Sequence, residues 1–185
     1  VNYIKNINHS AFVIFFILVS RILYFLLFYD SNRLIVGDEW EYLGVGKNII
    51  AGKGFWNPER GGELYLSEPF FPILIAFCHL IFSSETPVIA FNILMTIITI
   101  LLYCELMRKS GFSKNIIIIS GIFLASHPYL CYYNFHYLAE SLRVFGLSIL
   151  VYFSYKLFHS QTHQNLILFG FIGGLSSLMR FPFLF

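Results

Sequence analysis

GDEWEYLGVGKNIIAGKGFWNPERGGELYLSEP, residues 37–69, is the long polar segment of an otherwise apolar chain, and its placement decides how the rest is arranged. Asp38-Glu39-Trp40-Glu41 has the form of a capping box, with Asp38 capping a helix and Glu41 reaching back to it. The pattern predicts a short helix from about Glu39 to Ile50. Trp40, Tyr42, Leu43, Ile49 and Ile50 supply its apolar side, and Gly52 and Gly54 end it. A short helix with one apolar side and an acidic start is expected to lie flat in the membrane interface rather than to cross. Its carboxylates then stand at the boundary between water and lipid.

The rest of the chain supplies the membrane part. It is 57% hydrophobic, 19% aromatic and 12% charged, where a soluble domain carries about 25% charged residues. This composition predicts an integral membrane protein, an all-α polytopic bundle of transmembrane helices. A net charge of +2 lacks the basic excess that nucleic-acid binding requires, so the expected partners are membrane lipids and lipid-borne molecules. Cys78, Cys104 and Cys131 lie in or beside apolar runs without close pairing and read as small buried hydrophobes. No long-period repeat or soluble domain is visible. The chain opens at Val1 and stops at Phe185 inside an apolar, Pro-containing stretch, as expected of the N-terminal part of one longer membrane domain.

Residues 11–29 form the first predicted crossing. The loop 30–68 carries four basic and seven acidic side chains, which places it outside the cytoplasm because cytoplasmic loops are enriched in Lys and Arg. Residues 69–82 are only 14 long and contain Pro72, short of the 17 or so that a span needs. They read as a re-entrant or interfacial segment. Residues 88–107 then run inward and deliver Arg108, Lys109 and Lys114 to the cytoplasm, 115–125 return outward, 142–158 go in and 166–179 come out. A second external loop, from His127 to Glu140, is rich in Tyr and His. Were 69–82 a full crossing, the acidic loops would be split between compartments.

Three features invite a closer look. Arg21 sits near the middle of the first span, where a lone cation costs at least about 2.5 kcal/mol, so it must meet a partner on a neighbouring helix or a phosphate. His79, His127 and His136 lack metal-ligand spacing and read as histidines of aromatic loops. Gly170, Gly173 and Gly174, followed by Ser176 and Ser177, form a small-residue face suited to close helix packing.

Taken in order, GDEWEY, NIIAGKGFW, a Tyr-containing stretch into EPFFPILIAF, HPYLCYYNFHYLAESL and GGLSSLMRFP resemble the GT-C glycosyltransferases that use polyprenyl-phosphate sugars. The similarity is to the protein mannosyltransferase-like group, which includes aminoarabinose transferases and rhizobial lipopolysaccharide core transferases. It covers nearly the whole chain, but some of these enzymes have a Lys-Pro-Pro-like triplet where this chain has Glu68-Pro69-Phe70.

The resemblance implies a polyprenyl-phosphate sugar donor, a lipid, glycan or protein acceptor, inversion at the anomeric carbon, and a site facing outside the cytoplasm, in the plasma (inner) membrane. It makes Asp38 the candidate base, supported by Glu39, with Tyr42, Tyr65, Glu68, Glu140 and Arg180 as substrate-binding candidates. Arg180 is the implied cation for the departing phosphate. The departing phosphate needs a cation, a metal or hydrogen-bond donors, so a divalent metal is the candidate cofactor and no cofactor is certain. The competing class is a transporter or flippase for lipid-linked sugars, which would place its polar groups at mid-membrane on broken helices. A non-catalytic membrane scaffold is the third.

Overall fold

The computed structural model describes residues 2–30, 34–35, 37–57, 63–64 and 68–179, with side chains from residue 11 onward except that of residue 63. Eight helices follow in order: α1 (Asn2–Phe28), α2 (Asp38–Ile50), α3 (Phe70–Phe82), α4 (Pro87–Lys109), α5 (Lys114–Ala125), α6 (Pro128–Asn134), α7 (Glu140–His159) and α8 (His163–Met179). Between α2 and α3 two short strands, β1 (Trp56–Asn57) and β2 (Glu63–Leu64), pair antiparallel as a small ribbon. The fold is otherwise the expected all-α bundle.

Large apolar side chains cover its outside: Phe15, Ile22 and Leu26 of α1, Ile119 and Phe123 of α5, and Ile167 and Phe171 of α8 are all exposed. A lipid bilayer satisfies such a surface, and helices satisfy their own backbone within it. Among the described residues three helices are long and apolar enough to cross by themselves: α1 over Ala11–Phe28, α4 and α7. The pair α5 and α6, bent by 51°, makes a fourth if it is one broken span. In α8, 17 residues are helical up to Met179.

Side-chain contacts fix which way each helix runs. Asn92 Nδ2, near the start of α4, donates to His136 O just before α7, while Tyr155 OH near the end of α7 donates to Lys109 O at the end of α4. The two helices are therefore parallel. Val13 of α1 lies against Gly121 of α5, Ser20 Oγ donates to Ala125 O at 2.8 Å, and Tyr24 stacks on Phe135, so α1 and α5 both run the opposite way. In α8, Gly173 faces Leu150 and Ser176 Oγ donates to Gly146 O, which makes it antiparallel to α7.

One end of the bundle thus collects the end of α1, the start of α4, α6, the start of α7 and the end of α8. The other carries Glu105, Arg108, Lys109, Lys114 and Lys156.

Helices α2 and α3 cap the first of these ends. Tyr42, Leu43 and Val45 of α2 and Phe71, Leu74, Ile75 and Cys78 of α3 form one apolar core with Val88 of α4, Leu142 of α7 and Met179 of α8. Since α3 begins at this end and leads within four residues into the start of α4, both of its ends lie on the same side of the bundle. At about 1.5 Å per residue its 13 residues reach only about 20 Å.

Local details differ from expectation in three places. The segment read as a second external loop contains α6, whose Cys131 and Asn134 are buried because they pack against α1 and α4. Gly37, at φ 61°, occupies the N-cap of α2, Asp38 is the first helical residue, and no side chain caps the helix. A glycine that adopts positive φ at no steric cost starts the helix one residue earlier than the capping box requires. The acidic first turn of Asp38, Glu39 and Glu41 instead complements the positive end of the helix dipole. The glycine face of α8 packs only in part among the described residues: Gly173 and Ser176 meet Leu150 and Gly146 of α7, while a Cβ at Gly170 or Gly174 would meet nothing within 4 Å. Close approaches fall at Gly46, where a Cβ would lie 2.8 Å from Ile75 Cγ2, and at Gly146, where it would lie 2.7 Å from Met179 Sδ.

Candidate active site

The acidic end contains one tightly bonded cluster drawn from α2, α7 and the segment just before α3. Glu68 stands just before α3 and is 7% exposed, and Tyr42, on the buried face of α2, is 3% exposed. Glu140 opens α7, and Arg143 follows one turn later on the same face. Arg143 Nη2 donates to both oxygens of Glu68, 2.5 Å from Oε2, and Arg143 Nη1 donates to Glu140 Oε1 at 2.7 Å. Tyr42 OH donates to Glu68 Oε2 at 2.7 Å and accepts from Arg143 Nη2 at 2.9 Å. The bonds are charge-assisted, which makes them shorter and stronger than neutral ones, and the guanidinium divides them between two carboxylates, Nη2 on Glu68 and Nη1 on Glu140. Glu140 Oε2 and Arg143 Nε are buried without a partner among the described residues.

Asp38 and Glu39 are neighbours in different settings. Asp38 is exposed and its carboxylate accepts no hydrogen bond among the described residues, yet it lies within electrostatic reach of Glu140, as does Glu68. Glu39 is 3% exposed, and its Oε1 accepts from Tyr137 N at 2.8 Å, which ties the first turn of α2 to the segment leading into α7. The fold therefore brings Asp38, Tyr42, Glu68 and Glu140 to one place. Tyr65 and Arg180 lie outside the described residues.

The residue that sequence reasoning missed is Arg143. It falls inside what reads as the apolar run 142–158, and the available signal was the spacing Glu140-x-x-Arg143, which sets an acid and a base on one helical face.

The remaining polar groups sort out plainly. Arg21 is 2% exposed and meets neighbouring helices rather than lipid: Nε donates to Asn134 Oδ1 at 2.7 Å, and Nη1 to Ala125 O and to Ser20 Oγ. His136 stacks on Tyr132 with centroids 3.8 Å apart, His127 tilts against Tyr129, and His79 Nδ1 lies 3.1 Å from Glu85 Oε1. All three cysteines are free, Cys78 and Cys131 buried. Among the described residues no three His, Cys, Asp or Glu side chains are arranged to hold a metal ion.

A polytopic helical bundle with carboxylates and an arginine gathered at one end is the class of protein that the fold and the cluster define. Residues 67–185, nearly two thirds of the chain, match the dolichyl-phosphate-mannose-protein mannosyltransferase family, and the chain belongs to it. It is an integral membrane protein of the GT-C glycosyltransferase type. The matched stretch includes Glu68, Glu140, Arg143 and Arg180 and begins after Asp38, Glu39, Tyr42 and Tyr65. No curated protein and no solved structure matches the chain significantly.

Proposed function

We propose that this protein transfers a glycosyl group from a polyprenyl-phosphate sugar to a hydroxyl of a lipid, glycan or protein acceptor, at the extracytoplasmic face of the plasma (inner) membrane and with inversion. The observation that carries the reading is the convergence of Asp38, Glu68, Glu140 and Arg143 at the acidic end of a member of this family. Of the carboxylates gathered there, Asp38 has no hydrogen bond among the described residues and so keeps lone pairs free for a proton.

In this reading Asp38 takes the proton of the acceptor hydroxyl as its oxygen bonds to the anomeric carbon. The bond from that carbon to the phosphate oxygen breaks, and the lipid phosphate leaves with the electron pair from the opposite face. General-base help of this kind contributes about 10²–10⁴-fold. The departing phosphate needs preorganised positive charge. Arg143 is the cation within the described cluster, held in place by Glu68, Glu140 and Tyr42. Glu39 acts through the backbone, keeping the start of α2, and with it Asp38, against the entry to α7.

The test uses purified full-length protein and radiolabelled polyprenyl-phosphate sugars. Asp38→Asn is expected to lower transfer by roughly 10²-fold or more with expression intact, because the amide keeps the shape but takes no proton. Glu39→Gln is expected to be milder, since Gln keeps an oxygen to accept from Tyr137 N. Near-parental transfer by Asp38→Asn would remove Asp38 as the base.

A further inference from the structure

Beside the acidic cluster, and deeper in the bundle, lies a second polar group that the proposed chemistry does not use. Asn134, the last residue of α6, is 0% exposed. Its Oδ1 accepts from Arg21 Nε at 2.7 Å, and its Nδ2 lies 2.7 Å from Thr96 Oγ1, 2.9 Å from Ser141 Oγ and 3.1 Å from Asn92 O. One amide thus joins α1, α4, α6 and α7.

Its orientation is dictated. A guanidinium only donates, so Arg21 forces the amide oxygen towards α1 and leaves the NH₂ group to face α4 and α7. Arg21 meets no carboxylate among the described residues, and its Nη1 donates to Ala125 O, Ser20 Oγ and Cys131 Sγ. A membrane-embedded cation kept at a cost of at least about 2.5 kcal/mol needs a reason, and fixing this amide supplies one. Ser141 belongs to the first turn of α7, immediately after Glu140 and two residues before Arg143. The segment between α6 and α7 is pinned at its middle as well, by Asn92 Nδ2 to His136 O at 3.1 Å and by Glu39 Oε1 to Tyr137 N at 2.8 Å.

We infer that Asn134, oriented by Arg21, is a positioning residue: it fixes the first turn of α7 and thereby sets the Glu140–Arg143 pair against Glu68 and Tyr42. This rests on the reading of that cluster as the transferase site. A group misplaced by about 1 Å can cost on the order of 10² in rate without a comparable loss of binding, so the signature is a change in kcat with KM little altered.

Two variants test it in the full-length protein. Asn134→Asp keeps an oxygen for Arg21 and gives the guanidinium a charged partner, but has no N–H for Ser141, Thr96 or Asn92 O. Ser141→Ala removes only the link to α7. Both are expected to lower kcat for transfer from a labelled polyprenyl-phosphate sugar, Asn134→Asp by roughly tenfold or more, with donor KM within about twofold of the parent. Backbone hydrogen exchange over residues 137–143 should be faster in both.

Parental kcat and parental exchange in the two variants would overturn the inference. So would a loss confined to Asn134→Asp and accompanied by unfolding, with Ser141→Ala unchanged, because Asn134 would then be a fold residue only. If the parent transfers no sugar at all, the glycosyltransferase reading fails by itself. The exchange measurement then decides the positioning claim alone: faster exchange in both variants supports it and parental exchange removes it.

Discussion

Arg143 holds two carboxylates and a tyrosine with one guanidinium, and this determines how the cluster responds to mutation. Side-chain exposures of 15% for Arg143 and 9% for Glu68 put the pair out of reach of most water. Removing one partner of a buried pair strands the other and costs about 3–5 kcal/mol, while removing both together costs far less. Arg143→Leu is therefore expected to lower thermal stability in detergent markedly, and Glu68→Leu in the same chain to restore a large part of it. If the double variant is no more stable than Arg143→Leu, Glu68 is not the group that Arg143 neutralises. Arg143→Lys should fold but transfer poorly, since an ammonium does not reproduce the fork that meets Glu68 and Glu140 together.

At this scale the sequence was readable for the acids and opaque for the arginine. Asp38, Glu68 and Glu140 stand out because each interrupts or borders an apolar run. Arg143 is the second residue of such a run, and nothing local says that a carboxylate from just before α3 will meet it. Asp38 shows the opposite failure. Its pattern fits an N-cap, but the backbone freedom of the glycine before it moved the helix start by one residue.

Helix α2 carries Asp38, so whatever seats it on α3 also places that carboxylate. The seat is Gly46, where an added Cβ would stand 2.8 Å from Ile75 Cγ2 and 3.3 Å from the Pro72 carbonyl oxygen. Side-chain atoms can yield but the carbonyl cannot without moving α3. Gly46→Ala is expected to destabilise by about 1–3 kcal/mol, the usual cost of overpacking, and to lower transfer as α2 shifts. Adding Ile75→Ala should recover part of the loss, and a parental melting temperature for Gly46→Ala alone would show that the contact has slack. The chain holds several glycines in helical runs, and composition gives no means of ranking them. Gly170 and Gly174 have the spacing of a packing motif and face open space among the described residues, whereas Gly46 lies in a polar loop helix and makes the closer contact. Which glycine matters depends on what arrives opposite it, and that is a property of the tertiary fold.

For the whole molecule, alternation of apolar and charged stretches made the long apolar helices and the opposition of acidic and basic ends legible before any coordinates, but not α6, which falls in what reads as an external loop. The parallel pairing of α4 with α7 was implicit in the same alternation, because α5 with α6 returns the chain between them. The network around Asn134 was not legible, since Asn, Thr and Ser scattered through apolar helices look alike until they are brought together. The consequence that remains to be measured is topology. Both ends of α3 lie at the acidic end, and the opposite end carries Arg108, Lys109, Lys114 and Lys156 with Glu105 as its acid. Basic residues next to spans favour the cytoplasm, so the acidic end is expected outside and α3 is expected not to cross. Lys53→Cys, before α3, and Thr86→Cys, after it, are both exposed positions, as is Ser110→Cys beyond α4. In a cysteine-free background, a membrane-impermeant maleimide added to intact cells should label the first two and spare the third until the membrane is opened. Labelling of Lys53→Cys without Thr86→Cys, with Ser110→Cys now accessible from outside, would mean that α3 spans the bilayer; the cluster of Glu68 with Arg143 could then not form as described, and the site would have to be rebuilt from one face alone.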